Sequence, residues 1–351
     1  MFILVAILIF CVLIIVHEFG HFLAAKSFGI RVNEFSVFMG PKLLQHQGKE
    51  TLYSLRLLPI GGYCALEGED GESDDPRAFA SAKAWKRTVV LVAGSAMNFL
   101  LGLVILFCLY LPAQSFTTPV IDRFFEGCPY DAEDALQEGD RFLSIDGHRV
   151  YQFSDIEFLL SRNPDQVYTL ELLRDGQKVT LRDFRMVKVP YVIDGEETEK
   201  YGFYPAYAAA TFGTRLQAAW DTGLHFSRLI WMSLGDLFRG SVGLKDMGGV
   251  VSIVAAMNES GTSAETVSEG MQNIFYLGAF IAINLAIMNM LPIPALDGGR
   301  VFLLLVTALI EFITRKKLDP KYEGYIHAVG MVLLLILMAV IAFLDIMKLV
   351  N

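Results

Sequence analysis

The chain has 351 residues, 54% of them hydrophobic, a mean hydropathy of +0.45 and a formal net charge of −9. This is too apolar for an ordinary soluble domain of its length and matches a chain with several membrane spans. Residues 112–270 hold 14 Lys and Arg against 24 Asp and Glu, so the acidity is concentrated there and argues against nucleic acid as a partner.

The first predicted span runs from about residue 2 to 25. Phe2 to Val16 carry no charge and no helix breaker, and His17-Glu18-Phe19-Gly20-His21 follows without a gap. The absence of a basic n-region and of a small-x-small cleavage site argues against a signal peptide. On a helix, the H-E-x-x-H spacing puts both imidazoles on one face, about 40° apart, where they can share one zinc ion. Glu18 falls beside them, placed to take a proton from a water polarised by the metal. Sixteen helical residues rise about 24 Å against a hydrocarbon core of about 30 Å, so the motif lies at membrane depth, where ionisable groups are costly and usually functional.

Lys26, Arg31, Lys42, Lys49, Arg56, Arg77, Lys83, Lys86 and Arg87 crowd the segment that follows. The positive-inside rule makes this loop cytoplasmic and the N-terminus extracytoplasmic. Within it, residues 51–67 predict a membrane-associated β-hairpin: Thr51 to Leu57 alternates like a strand, and Pro59-Ile60-Gly61-Gly62-Tyr63 reads as a turn into a second strand. It is either a small soluble hairpin or an edge strand beside the active site that pairs with an extended substrate. The acidic stretch Glu67 to Asp75 reads as a solvated loop. Residues 88–111 are a second span without charge, with Gly94, Ser95, Ala96 and Gly102 permitting close helix packing. Asn98 is its one strongly polar side chain, assigned to interhelical hydrogen bonding or to substrate contact. Residues 1–111 thus form the first part of the membrane core.

From 119 to 185 the texture is that of a small α+β extracytoplasmic domain, with strand-like runs, turns at Asp146-Gly147 and Asp175-Gly176, and one helix near Ser154 to Ser161. Gly139-Asp140-Arg141-Phe142-Leu143-Ser144-Ile145-Asp146-Gly147 resembles the G-D-x-I-x-x-I-N-G signature of PDZ domains. That resemblance implies a domain that inspects protein tails or extended segments, or sieves substrates by size; a plain spacer is the alternative. Residues 186–270 read as a linker and amphipathic helices. Tyr191 to Tyr201 is the polar linker, Leu216 to Phe238 a helix lying on the outer membrane face or packed on the core, and Gly243 to Met257 a second such element.

Residues 271–351 form the second part of the membrane core. The third span, about 274–291, starts outside and ends inside, delivering Leu291-Pro292-Ile293-Pro294-Ala295-Leu296-Asp297-Gly298-Gly299 to the side where His17 and His21 lie. The two prolines break the helix and leave a carboxylate beside irregular backbone at membrane depth, tolerated only where it lines a protein cavity. A hydrolytic zinc site takes three protein ligands and keeps a position open for water, and Asp297 completes a His-His-Asp set. Val301 to Ile310 is either a continuation of the third helix or a re-entrant piece. Arg315, Lys316, Lys317 and Lys321 keep that loop inside. A fourth span, about 328–344, returns the C-terminus to the outside. Cys11, Cys64, Cys108 and Cys128 form no C-x-x-C pair and indicate neither a disulfide framework nor a thiolate metal site.

The H-E-F-G-H of the first span, Gly61-Gly62-Tyr63, the PDZ-like insertion, and Asn289-Met290-Leu291-Pro292-Ile293-Pro294-Ala295-Leu296-Asp297-Gly298-Gly299 together resemble the bacterial site-2 proteases, specifically the regulator-of-sigma-factor type with one PDZ domain. The resemblance covers essentially the whole chain. It implies a polytopic α-helical membrane protein with about four transmembrane helices in the bacterial inner membrane, its active site toward the cytoplasmic side. It further implies an intramembrane zinc endopeptidase with one Zn2+ per chain that cuts single-span proteins, such as anti-sigma factors and remnant signal peptides, after an upstream site-1 type protease has acted. By resemblance His17, His21 and Asp297 match the zinc ligands, Glu18 the general base, and Asn289, Gly61, Gly62 and Tyr63 the elements that hold the unwound substrate. Two other classes stand beside this reading: a membrane-bound zinc protease acting on exposed loops, and a non-catalytic membrane protein that binds through its PDZ-like domain.

Overall fold

The computed structural model describes residues 1–69, 73–132, 134–193, 196–241, 250–315 and 321–350. The chain divides into two compact units, one of residues 1–106 with 229–351 and one of residues 107–228.

In the first unit, helix α1 (Phe2–Ser27) ends where the N–H groups of Phe28, Gly29 and Ile30 turn back onto the carbonyls of Ala24, Ala25 and Lys26. Sheet strands β1 (Val32–Gln47) and β2 (Leu52–Leu66) follow, then α2 (Ala84–Leu109). Ala6, Ile9 and Leu13 of α1 recur at helical spacing and bury one face against the later helices α5 (Val250–Thr262) and α6 (Val267–Asn289), in one core with Met257, Ile274, Ile281 and Ala282. Leu4, Leu8 and Val12 of the opposite face are exposed, as lipid-facing side chains are. Helices α7 (Asp297–Thr314) and α8 (Lys321–Val350) complete the unit. Among the described residues, four helices are long and apolar enough to cross a membrane: α1, α2, α6 and residues 324–341 within α8. The protein is a polytopic membrane protein.

Three expectations are corrected here. The segment Pro59 to Tyr63 is not a turn: β2 runs through it, and its partner is the upstream β1. Residues Glu34 to Val37 face Cys64 and Gly62 on one side in antiparallel register and Leu52 to Leu55 on the other with rising numbers, so this stretch lies between two passes of β2. Phe38 (φ 68°), Gly40 (φ 84°) and Gly61 (φ 81°) make the bends that permit it. Those bends interrupt the alternation of β1 and hide it from a period-two search. Helix α6 starts earlier than residue 274, because Thr266 accepts the Glu269 N–H at 3.2 Å and caps a polar first turn. Finally, Val301 to Ile310 does not continue the third helix: it belongs to a separate helix, α7, which follows the break at 290–296.

In the second unit the sheet order is β10 (Phe203–Ala209), β3 (Ser115–Phe124), β4 (Arg141–Ile145), β6 (Val167–Arg174), β7 (Gln177–Arg185), with β5 (His148–Arg149) paired to β4. The sheet therefore reaches beyond 119–185 on both sides. Its core holds Ile121, Leu136, Phe142, Ile145, Tyr168, Leu170 and Leu172, covered by α3 (Phe153–Ser161) through Ile156, Leu159 and Leu160. Asp140 of the Gly-Asp signature is fully buried, and Arg174 satisfies both its oxygens at 2.8 and 2.7 Å. The stretch expected as a polar linker is a hairpin instead, β8 (Val189–Ile193) on β9 (Glu196–Lys200). Helix α4 (Phe212–Phe238) begins four residues before Leu216, where Thr211 and Thr214 exchange backbone N–H bonds at 3.2 and 2.7 Å. Of the second amphipathic element expected from Gly243 to Met257, residues 242–249 lie outside the described residues, and the rest is in α5.

Candidate active site

The H-E-x-x-H residues occupy consecutive turns of α1, and Asp297 opens α7 on the other side of the Pro-x-Pro break. The structure brings them together. His17 Nε2 and His21 Nε2 lie 3.2 Å apart, and Asp297 Oδ2 lies 3.1 Å from the first and 3.3 Å from the second. Donors about 2.0–2.2 Å from one tetrahedral zinc ion stand roughly 3.3 Å from each other, so these three atoms already have the spacing of three corners of a zinc tetrahedron. The rings meet edge to face, with centroids 4.8 Å apart and planes crossing at 84°. Asp297 Oδ2 is buried and makes no well-directed hydrogen bond despite its short distances to both nitrogens, as an oxygen aimed at an ion would be. Among the described residues this is the one cluster of three His, Cys, Asp or Glu side chains able to hold a metal.

The surroundings fix these side chains. His21 Nδ1 lies 2.8 Å from the Val90 carbonyl of α2, so Nδ1 donates and Nε2 keeps its lone pair for a metal. Two glycines make room for this crossing. A Cβ on Gly20 would stand 2.5 Å from the Ala93 carbonyl, and one on Gly94 would stand 2.4 Å from His21 Nε2 and 2.8 Å from His17 Cε1. Gly94 was visible in the sequence as a packing residue; its place against both imidazoles was not. With neutral imidazoles, Glu18 and Asp297 give the site two negative charges, which a divalent cation neutralises.

Glu18 sits beside the sheet. The Cys64 N–H donates to its carboxylate, and a Cβ at Gly62 would lie 3.6 Å from Glu18 Cγ and 3.7 Å from the Ile14 side chain. The outer edge of β2 thus borders the site. Gly61 supplies the bend just before it. Tyr63 is on the other face: its hydroxyl accepts from Arg56 at 2.5 Å within a polar group that includes Glu34 and Ser54. The structure therefore separates Tyr63 from the site it was grouped with. Asn289 is the last residue of α6, at the start of the break that carries Asp297. Asn98 is buried one turn beyond Gly94, and its Oδ1 has no partner among the described residues; nor does the Oγ of Ser95. The interhelical hydrogen bond expected of Asn98 through that oxygen is not made. The acidic stretch is structured where it is described, with Asp75 held by Arg31 and Glu67 by Asn33 and Ser73; residues 70–72 lie outside the described residues.

A membrane-spanning core that converges two histidines, a distant aspartate and an adjacent glutamate defines a membrane metallohydrolase. Comparison with known proteins narrows the class. Residues 5–337 match peptidase family M50. A protein of Clostridium acetobutylicum named as a zinc metalloprotease is 35% identical over 99% of this chain and 98% of its own. A similarly named protein of Clostridium perfringens is 34% identical over 99% and 98%. The regulator of sigma-W protease RasP of Bacillus subtilis is 26% identical over 98% of this chain and 97% of its own. The chain belongs to peptidase family M50, the site-2 proteases. It is a zinc metalloendopeptidase of the membrane, and Zn2+ is its cofactor.

Proposed function

We propose that this protein cuts single-span membrane proteins within or near the bilayer, with His17, His21 and Asp297 as zinc ligands and Glu18 as general base and acid. The observation that carries the reading is the mutual spacing of the three ligand atoms, 3.1 to 3.3 Å, with both histidines on a helix long and apolar enough to span a membrane. When bound, zinc supplies a Lewis acid that polarises the scissile carbonyl and lowers the pKa of water. Glu18 accepts the proton of the attacking water and delivers it to the leaving amine. A helical substrate buries its carbonyls in its own hydrogen bonds, so it must be extended to react; the outer edge of β2, running past Glu18, is the strand on which it would extend. Asn289 contacts that unwound segment from the end of α6.

The name of the Bacillus relative supports anti-sigma factors as substrates, with remnant signal peptides as a second class of the same chemistry. An upstream protease of the site-1 type removes the outer domain first. The basic loop between α1 and α2 supports an orientation in the bacterial inner membrane with both termini and residues 107–228 outside and the site toward the cytoplasm. The second unit is PDZ-like in its Gly-Asp signature and in its sheet with a single covering helix, and acts on substrates as a recruiter or a sieve.

The test uses purified protein in detergent with a tagged single-span substrate already trimmed of its outer domain. Cleavage within the span by wild type, abolished by a chelator and by Glu18→Gln, is the expected result; equal cleavage by Glu18→Gln would overturn the role of Glu18. For the second unit, Ala210 N–H donates to the Gln114 carbonyl at 3.0 Å, so removing residues 115–209 leaves neighbouring ends to join. Cleavage of untrimmed substrate by that deletion identifies a sieve, and loss of cleavage of trimmed substrate identifies a recruiter.

A further inference from the structure

The outer edge of β2 carries backbone donors that a substrate strand would need, and the chain's own carboxylates hold two of them. Side chains and N–H groups alternate along a strand. The Glu67 N–H points into the sheet, to the Arg31 carbonyl at 3.0 Å, so the N–H groups of Leu66 and Cys64 point outward. Cys64 gives its N–H to Glu18. Leu66 gives its N–H to Glu69 Oε2 at 3.4 Å. The other oxygen of Glu69, Oε1, is ion-paired with Arg300. Arg300 stands three residues after Asp297 in α7, one helical turn from the metal ligand. Next to it, Val301 packs against the cluster that contains Leu66, Phe79 and Val32. The exit end of the β2 edge and the start of α7 are therefore adjacent, and the Glu69–Arg300 pair lies between them.

We propose that Glu69 is a displaceable plug on the substrate-binding edge of β2, anchored by Arg300, which an incoming strand must push off Leu66 in order to pair. This rests on the reading of β2 as the substrate-pairing strand. The chemistry is an exchange: the Leu66 N–H leaves a carboxylate and takes a substrate carbonyl. At 3.4 Å the Leu66 contact is long for a hydrogen bond, so it is weak enough to be exchanged. The ion pair with Arg300, with side chains 18% and 29% exposed, returns the carboxylate once product leaves. The competition from Glu69 is met only by a segment that pairs along the edge as far as Leu66, so Glu69 discriminates by how far past Cys64 the substrate pairs.

The experiment measures KM and kcat on the trimmed single-span substrate, with zinc content, in full-length protein. Glu69→Ala removes the competitor and lowers KM by roughly three- to tenfold, the worth of one hydrogen bond, at unchanged kcat and zinc content. Arg300→Gln loosens the same carboxylate without deleting it and shifts KM in the same direction, so a folding defect in one variant does not decide the matter. Cys64→Pro serves as the reference for the parent reading. It removes an outward N–H at an edge, where proline is tolerated, and raises KM more than tenfold if β2 pairs with substrate, while the loss of the same N–H from Glu18 is read separately in kcat. An unchanged or raised KM in both plug variants, with Cys64→Pro behaving as described, overturns the plug alone. A KM indifferent to Cys64→Pro overturns the pairing strand and the plug with it.

Discussion

Gly94→Ala inserts one methyl group where α2 crosses the histidine pair. The added carbon would stand 2.4 Å from His21 Nε2, against about 3.4 Å for ordinary contact, so something must move by about 1 Å. His21 cannot yield freely, since it is buried and its Nδ1 is held by Val90 of the same helix. The second contact, 2.8 Å to His17 Cε1, closes the other direction. The helices must therefore part or the ligand atoms must leave their 3.2 Å spacing. Overpacking of this size costs roughly 1–3 kcal/mol of stability, and a misplacement of about 1 Å at a reacting centre costs on the order of a hundredfold in rate. Gly102→Ala is the matched control on the same face of α2. There the nearest atoms are Ile283 Cγ1 at 2.8 Å and the Ala279 carbonyl oxygen at 3.1 Å, so packing is strained as well, but neither histidine is among the contacts. The expected outcome is zinc content well below one per chain and at least a hundredfold lower kcat/KM for Gly94→Ala, with near-normal zinc and a modest drop in thermal stability for Gly102→Ala. Zinc would be read by elemental analysis and activity by cleavage of the trimmed substrate. Full zinc and more than half of wild-type activity in Gly94→Ala would refute the placement of that glycine against the ligands.

The ligands and the base should separate in one assay: His21→Ala and Asp297→Asn lose both zinc and activity, whereas Glu18→Gln loses activity and keeps zinc. Elemental analysis of the three variants checks this. Asp155, fully buried on α3, offers a pH prediction. Burial pushes its carboxyl up, but the hydrogen bond with His225, the Tyr151 and Gln152 N–H groups and the Arg228 charge outweigh burial and hold it below the usual carboxylate value. The folded state thus binds the proton more weakly than the unfolded state, so this contribution is complete above about pH 4 and is lost as pH falls through the lowered folded value. Asp155→Asn should therefore weaken hydrogen-exchange protection of β4 and β6 at pH 7, with the gap to wild type closing in acid.

Periodicity and charge carried the membrane core a long way. An uncharged run ending in H-E-x-x-H forces a helix with its imidazoles on one face, and a Pro-x-Pro break before Asp297 forces a carboxylate next to irregular backbone. Those two facts already point to His17, His21 and Asp297 as one cluster, because helix geometry is local and ionisable groups in a membrane are costly. What stayed hidden depends on tertiary pairing. β1 carries Gly40-Pro41 in its middle and reads as loop, yet it is stabilised on two sides by passes of β2. The mistaken turn at Pro59 to Tyr63 has the same origin: proline and glycine signal turns on average, but an edge strand needs no inward N–H from Pro59 and uses Gly61 to bend without ending. Tyr63 was grouped with Gly61 and Gly62 because they are neighbours in sequence. In a strand, neighbours face opposite ways, and Tyr63 lies on the far side with Arg56. Likewise no local pattern joins Glu69 to Arg300, which are 231 positions apart.

The placement of Asp297 follows from the residues around it as a group. Ala295 takes a left-handed conformation, φ 82°, which reverses the chain after Pro294. The first turn of α7 then folds back so closely that a Cβ on Gly298 would stand 2.2 Å from the Met290 carbonyl carbon and one on Gly299 2.1 Å from the Ile293 oxygen. Only glycine fits at both positions, and their absence of side chains lets the helix start against the end of α6. Asp297 consequently opens a helix, where the unpaired N–H groups of the first turn favour its negative charge. On an unbroken helix the same aspartate would have its backbone groups satisfied and no such stabilisation. The break, the strained alanine and the paired glycines are therefore one device: they hold the Asp297 carboxylate at the start of a helix, facing two imidazoles that α1 has already fixed.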